Sequence, residues 1–129
     1  MKLYGNFDGV SYYGGMKNNA LQNYEEAVNA KGSISGAQTV DLTLGNVVSA
    51  TATGAVTWSV TNVPASGKCG SFTLVLTNGG AGTQTWMSGT KWPGGTGPTL
   101  VASGVDILCF FTIDGGTTWR GVLAQADSK

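Results

Sequence analysis

From Lys31 onward, apolar and polar residues alternate almost without interruption. A period of two is the spacing of a strand that buries one face and wets the other. Val40, Leu42 and Leu44 share a face of residues 39–44, and Val48, Ala50 and Ala52 share a face of 47–53. Val56, Trp58 and Val60 do so in 55–61, and Phe72, Leu74 and Leu76 in 71–77. Residues 83–87 and 117–124 add two short strands, the second with Trp119 and Leu123 on one face. Residues 105–113 differ. Val105, Ile107, Cys109, Phe111 and Ile113 form one face, while Leu108 and Phe110 occupy the other. A strand apolar on both faces is central in its fold or covered by a neighbouring subunit. Leu108 and Phe110 are therefore candidates for a subunit interface.

Glycine supplies 21 of the 129 residues and recurs as pairs at 14–15, 79–80, 94–95 and 115–116. Such pairs mark tight turns that need positive φ. Many short strands with turns every eight to twelve residues, and no helical spacing between them, predict an all-β domain. Without helices to carry crossovers, the expectation is an antiparallel β-sandwich, jelly-roll-like.

The first 30 residues read differently. All four tyrosines lie within residues 1–24, whereas all four tryptophans lie from Trp58 onward. Residues 1–17 carry aromatics and glycines without period, which predicts an extended arm. Residues 19–30 are the one helix candidate, with Asn19 as cap and Gln22 as its capping-box partner. Leu21, Tyr24 and Val28 would share its apolar face. The chain thus divides into an N-terminal arm with a short helix (1–30) and a β-sandwich domain (31–129). An arm with much aromatic surface and little core of its own needs something to lie against. Tyr4, Phe7, Tyr12, Tyr13, Leu21, Tyr24 and Val28 are its candidate contacts.

Seven basic and seven acidic residues balance to zero net charge. No basic patch offers an electrostatic footprint for nucleic acid, and a charge-poor surface suits packing against protein. The chain has no histidine, which removes Ser-His-Asp and Cys-His catalysis and most zinc sites. Asp41 and Asp106 lie on strands, and Asp114 opens a Gly-Gly turn, so none forms a facing carboxylate pair of the kind a glycosidase needs. Gly67-Lys68 lacks the upstream glycine of a phosphate loop, because position 62 is Asn. No catalytic, cofactor or metal residue is assigned, and the chain reads as non-enzymatic. Cys69 and Cys109 leave two readings open, a disulfide between them or, favoured, buried free thiols. Met1-Lys2-Leu3 leads directly into polar and glycine residues. That start carries no secretory or membrane signal, and synthesis in a host cytoplasm is expected. Trp86 and Trp92 flank the loop at 87–91, where indole faces can stack on a sugar or a partner protein. They are the candidate receptor contacts, against the alternative that they close the end of the domain.

Four separated stretches carry a resemblance. They are DLTLGN at 41–46 followed by GAVT at 54–57, NVPASG with FTLVL at 62–76, KWPGGTGPTL at 91–100, and DILCFFTIDGGTTWRGVLA at 106–124. In order and spacing they resemble a β module recurrent in virion proteins of tailed bacteriophages, over about three quarters of the chain. The resemblance implies a structural, non-enzymatic virion component that assembles as a homotrimer. Tail fibres of this kind carry long shafts, whereas only 30 residues precede the module here. That tips the expectation to a capsid decoration (cement) protein on the virion surface, bound through its arm to the major capsid protein. The alternative is a tail fibre or adaptor domain in which Trp86 and Trp92 meet a host receptor or host-surface glycan. A free carbohydrate-binding module is a third reading. Neither nucleic acid nor membrane is an expected partner.

Overall fold

The computed structural model describes Asn18 and residues 20–129. Among these, strands dominate, and the helical pieces are three-residue 3-10 turns at Leu42–Leu44, Gly79–Ala81 and Pro93–Gly95. Seven strands form one sheet: β1 (Val28–Asp41), β2 (Val47–Thr61), β3 (Gly70–Thr77), β4 (Gln84–Thr85), β5 (Thr90–Lys91), β6 (Val105–Thr112) and β7 (Trp119–Gln125). Their order is β1-β2-β3-β6-β7-β5, with β4 joined to β2.

The sheet is mixed, which corrects the antiparallel expectation. β1 with β2, β2 with β3, β2 with β4, and β5 with β7 are parallel pairs, while β6 runs antiparallel to both β3 and β7. Parallel neighbours ordinarily require a long crossover. Here Val28 pairs with Val47 and Asp41 with Thr61, so β1 and β2 start level although only Leu42–Asn46 separates them. A straight strand of this length would span about 43 Å. The connection reaches only about 22 Å. β1 must therefore fold back on itself.

The fold-back sits at glycine. The register slips between Ala30 and Gly32 and again between Ile34 and Gly36, and both glycines take positive φ, +71° and +70°. An L side chain pays a steric penalty in that region. The result is two limbs, Val28–Ile34 and Gly36–Asp41. Lys31 Nζ donates to the Thr39 carbonyl across them at 2.9 Å, a contact that a straight strand would hold far out of reach. β2 repeats the path beside β1. The third turn is split: β3 lies along the first limb of β2, and β4 along its second. The corners stack closely enough that a Cβ on Gly82 would lie 2.3 Å from the Gly54 carbonyl carbon.

Alternation within each limb turns one set of side chains into the coil. Val48, Ala50 and Ala52 come from the first limb of β2, and Val56 and Trp58 from the second. They join Phe72, Leu74 and Leu76 of β3 and Leu108 and Phe110 of β6 in one buried cluster. Gln84 fastens the second limbs. Its Oε1 accepts from Trp58 Nε1 at 2.9 Å, and its Nε2 donates to the Gly79 and Gly82 carbonyls at 2.9 and 3.2 Å.

Several expectations are corrected by this arrangement. The helix over 19–30 does not form in its described part: residues 20–27 are irregular and Val28–Ala30 open β1. A three-turn helix needs a packed face to offset its nucleation cost, and Leu21, Tyr24 and Val28 are exposed. Leu42 and Leu44 leave the strand pattern because Asp41 caps a 3-10 turn there, and Leu44 is exposed. Leu108 and Phe110 are core residues, at 0% and 1% exposure, and not a subunit interface. The partner strand decides this. Phe72 pairs with Phe110 and Leu74 with Leu108, and residues paired across strands share a face.

Gly82→Ala should push the stacked corners apart. We expect a loss of about 1–3 kcal/mol, read from denaturant unfolding. Gln84→Ala removes the only acceptor that the Trp58 indole N–H has among the described residues. It should cost about 1–3 kcal/mol, measured the same way, with a shift in tryptophan fluorescence.

Candidate functional site

Two surfaces matter: the end of the coil that holds the tryptophans, and the outward face of β3, β6 and β7.

Trp86 lies between β4 and the 87–89 turn, and Trp92 follows β5. Both are half-buried. Trp86 stacks on Trp58 with centroids 6.1 Å apart and planes 10° from parallel. Trp92 meets Trp86 edge-on at 5.6 Å, and both rings contact Phe110, at 5.3 and 5.6 Å. Phe72 continues the cluster, 5.0 Å from Phe110 and 5.8 Å from Trp119. Gly121 makes the space for it, since a Cβ there would lie 2.8 Å from Trp92 and 2.9 Å from Phe110. Aromatic pairs of this geometry add about 0.5–1.5 kcal/mol each beyond area burial. The two indoles thus close the end of the core, and the stacked face of Trp86 is occupied by Trp58.

The opposite face of β6 is the exposed one. Phe111 is 43% exposed and Val122, on β7, 44%; Ile113, just past β6, is 60% exposed. Cys109 is half-buried between Thr73 and Val122, its register partners on either side. A groove of about 320 Å³ runs over this face, lined by Glu26, Thr73, Cys109, Phe111, Arg120 and Val122. A second hollow, of about 230 Å³, continues from Phe111 and Arg120 to Ile113, Asp114 and Thr118. Among the described residues the one ion pair is Lys129–Asp127, at 2.7 Å, so Glu26 and Arg120 both face the groove without one.

Leu21, Tyr24 and Val28 lead into the domain with 64%, 65% and 57% of their surface exposed. Tyr4, Phe7, Tyr12 and Tyr13 lie outside the described residues. The sequence reading missed Phe111, Val122 and Arg120 as surface residues. The alternation of 105–113 carries the signal, but a count of apolar residues favours the outward face as the inner one.

Each carboxylate singled out in the sequence serves the backbone. Asp41 Oδ1 accepts from the Thr43 hydroxyl and amide and from Asn62 Nδ2, at 2.7, 2.9 and 2.7 Å. Asp114 Oδ1 accepts from the Thr118 amide at 2.8 Å and the Thr112 hydroxyl at 2.9 Å. Asp106 is fully buried and joins two loops, accepting from the Val101 and Asp127 amides at 2.7 and 2.9 Å. No group of three metal-ligating side chains occurs among the described residues. Cys69 and Cys109 are free thiols, but Cys69 is exposed, against the expectation of burial.

Comparison with protein-family models, curated proteins and solved structures found no match for this chain.

The Thr43 hydroxyl, then Asn62, hold Asp41 below its ordinary pKa of 3.8. The Thr118 amide, then the Thr112 hydroxyl, do the same for Asp114. A carboxyl depressed in the folded state contributes stability above its unfolded pKa, and this is lost as pH falls through the folded one. The melting temperature should therefore hold its Asp41 and Asp114 contributions down to about pH 4 and lose them below it. Asp114→Asn should lower the melting temperature at neutral pH and flatten the decline below pH 4. A pH series of thermal melts on both proteins checks this.

Proposed function

We propose that this chain is a non-enzymatic structural protein of a phage virion, a capsid decoration protein held to the major capsid protein by its N-terminal arm. The finer architecture is that of a two-layered β-sandwich, projected as a knob and assembled as a homotrimer. The observation that carries the reading is the lead-in to β1. Leu21, Tyr24 and Val28 hold large apolar side chains in water beside a domain that has a complete core without them. Exposed apolar residues gathered on a terminal segment fit a partner surface better than they fit solvent. The four sequence motifs and the charge-poor composition support the same class.

The test is binding to capsids by the full chain. Burying an aromatic or leucine side chain contributes about 2 kcal/mol, so replacing Leu21 and Tyr24 together by Asp should weaken capsid binding by at least about 100-fold. The melting temperature should stay unchanged. Full-strength decoration by the double variant would remove the arm from the mechanism. The second reading, a tail fibre or adaptor domain that meets a host glycan, rests on Trp86 and Trp92. It is less favoured because both rings are packed against Phe110.

A further inference from the structure

We infer that the outward face of β3, β6 and β7 is where a second copy of this chain docks. The inference rests on the assembly reading above and specifies which surface the copies share. Three observations carry it.

An apolar row runs along the face, flanked by Ser71, Thr73 and Thr77 on β3 and by Arg120 on β7. Strand alternation places Val75, Ile107, Cys109 and Phe111 on it, and register sets Val75 beside Ile107 and Cys109 beside Val122. Ile113 extends the row past the end of β6. An apolar row that ends in the exposed Phe111, Val122 and Ile113, on a charge-poor protein, marks an interaction surface.

The face is also complementary to itself in charge. Arg120 stands in its groove, Glu26 lines the same groove, and Asp114 lies on the adjoining hollow. Each copy thus offers both signs beside its apolar row, so a second copy can answer Arg120 with Glu26 or Asp114. A partner of strong net charge would leave one of these signs unmatched.

The long edge strand of the sheet, by contrast, is guarded. Among the described residues β1 has no strand on its far side, yet it is bent at Gly32 and Gly36, and Lys31 covers the Thr39 carbonyl. Bulges and a lysine are the devices that keep an edge from pairing. The β3–β6–β7 face carries no such guard.

Cys109 is a native probe of this face. In the full chain carrying Cys69→Ser, it is the sole thiol. We expect sedimentation to show a concentration-dependent assembly. Maleimide modification of Cys109 should slow by about tenfold or more as that assembly forms. Phe111→Asp and Val122→Asp should each weaken self-association by at least about 100-fold and restore fast modification, with unchanged circular dichroism. Thr57→Asp, exposed on the second limb of β2, should do neither.

An assembled protein whose Cys109 reacts at the monomer rate would overturn the assignment. So would assemblies that survive both substitutions, or a monomer at every concentration. A monomer with protected Cys109 would overturn it in favour of cover by the chain's own N-terminal segment. If the aspartate variants fail to fold, the concentration series on the Cys69→Ser chain decides alone. Loss of capsid binding in the Leu21 and Tyr24 variant leaves all these outcomes unaffected, so the two readings fail separately.

Discussion

Everything in this domain follows from the reach of Leu42–Asn46. Those five residues cannot return a straight β1 to the level where β2 begins, yet the two strands run parallel and in register. The chain resolves the conflict by bending each long strand at a corner. Gly32 and Gly36 provide the bend in β1 at positive φ, and β2 follows the same path past Gly54. A helix would be the ordinary solution to a parallel crossover. Folding the strand itself achieves the return with no helix and also creates two walls that face each other. Parallel pairing and a closed core are thus one event.

The third turn shows what happens when the repeat is loosened. β3 continues the first wall, but β4 continues the second with two residues only. Gln84 compensates by tying the Trp58 indole to the Gly79 and Gly82 carbonyls. Beyond it, Trp86 and Trp92 fill the space that a longer strand would have closed. Trp92 lies over Gly121, where a Cβ would come within 2.8 Å of its ring, and helps to seal that end. The burial of both indoles follows from topology, and it leaves little of Trp86 to offer a ligand.

Much of the core could be read from alternation alone. Val48, Ala50, Ala52, Val56, Trp58, Phe72, Leu74 and Leu76 point inward as a period of two requires. What alternation cannot carry is the identity of a strand's neighbour. Parallel pairing was invisible because the corners look like ordinary glycine turns. The inner face of β6 is hidden from alternation for a related reason. Counting apolar residues favours the face of Ile107, Cys109 and Phe111, whereas pairing with Phe72 and Leu74 selects Leu108 and Phe110. The buried Asp106 and Thr112 on that inner side lowered its apparent hydrophobicity. Both are accounted for locally: Asp106 accepts two loop amides, and Thr112 donates to Asp114.

The two-sided pattern of β6 also bears on where the proposed assembly would act. A two-sided apolar strand has one side for its own sheet and one for something else. Once β3 claims Leu108 and Phe110, the remainder is a row containing Phe111 and Val122. The shared surface proposed above therefore lies on the same strand but on its other side. The lead-in residues Leu21 and Tyr24 are a separate demand for cover, since they precede the sheet and contribute nothing to its core. Two unsatisfied apolar surfaces on one small domain, one on its sheet and one on its tether, suit a molecule that meets copies of itself through the first and a larger surface through the second. In the proposed division the sheet face would set the geometry of the knob and the tether would set where it is anchored.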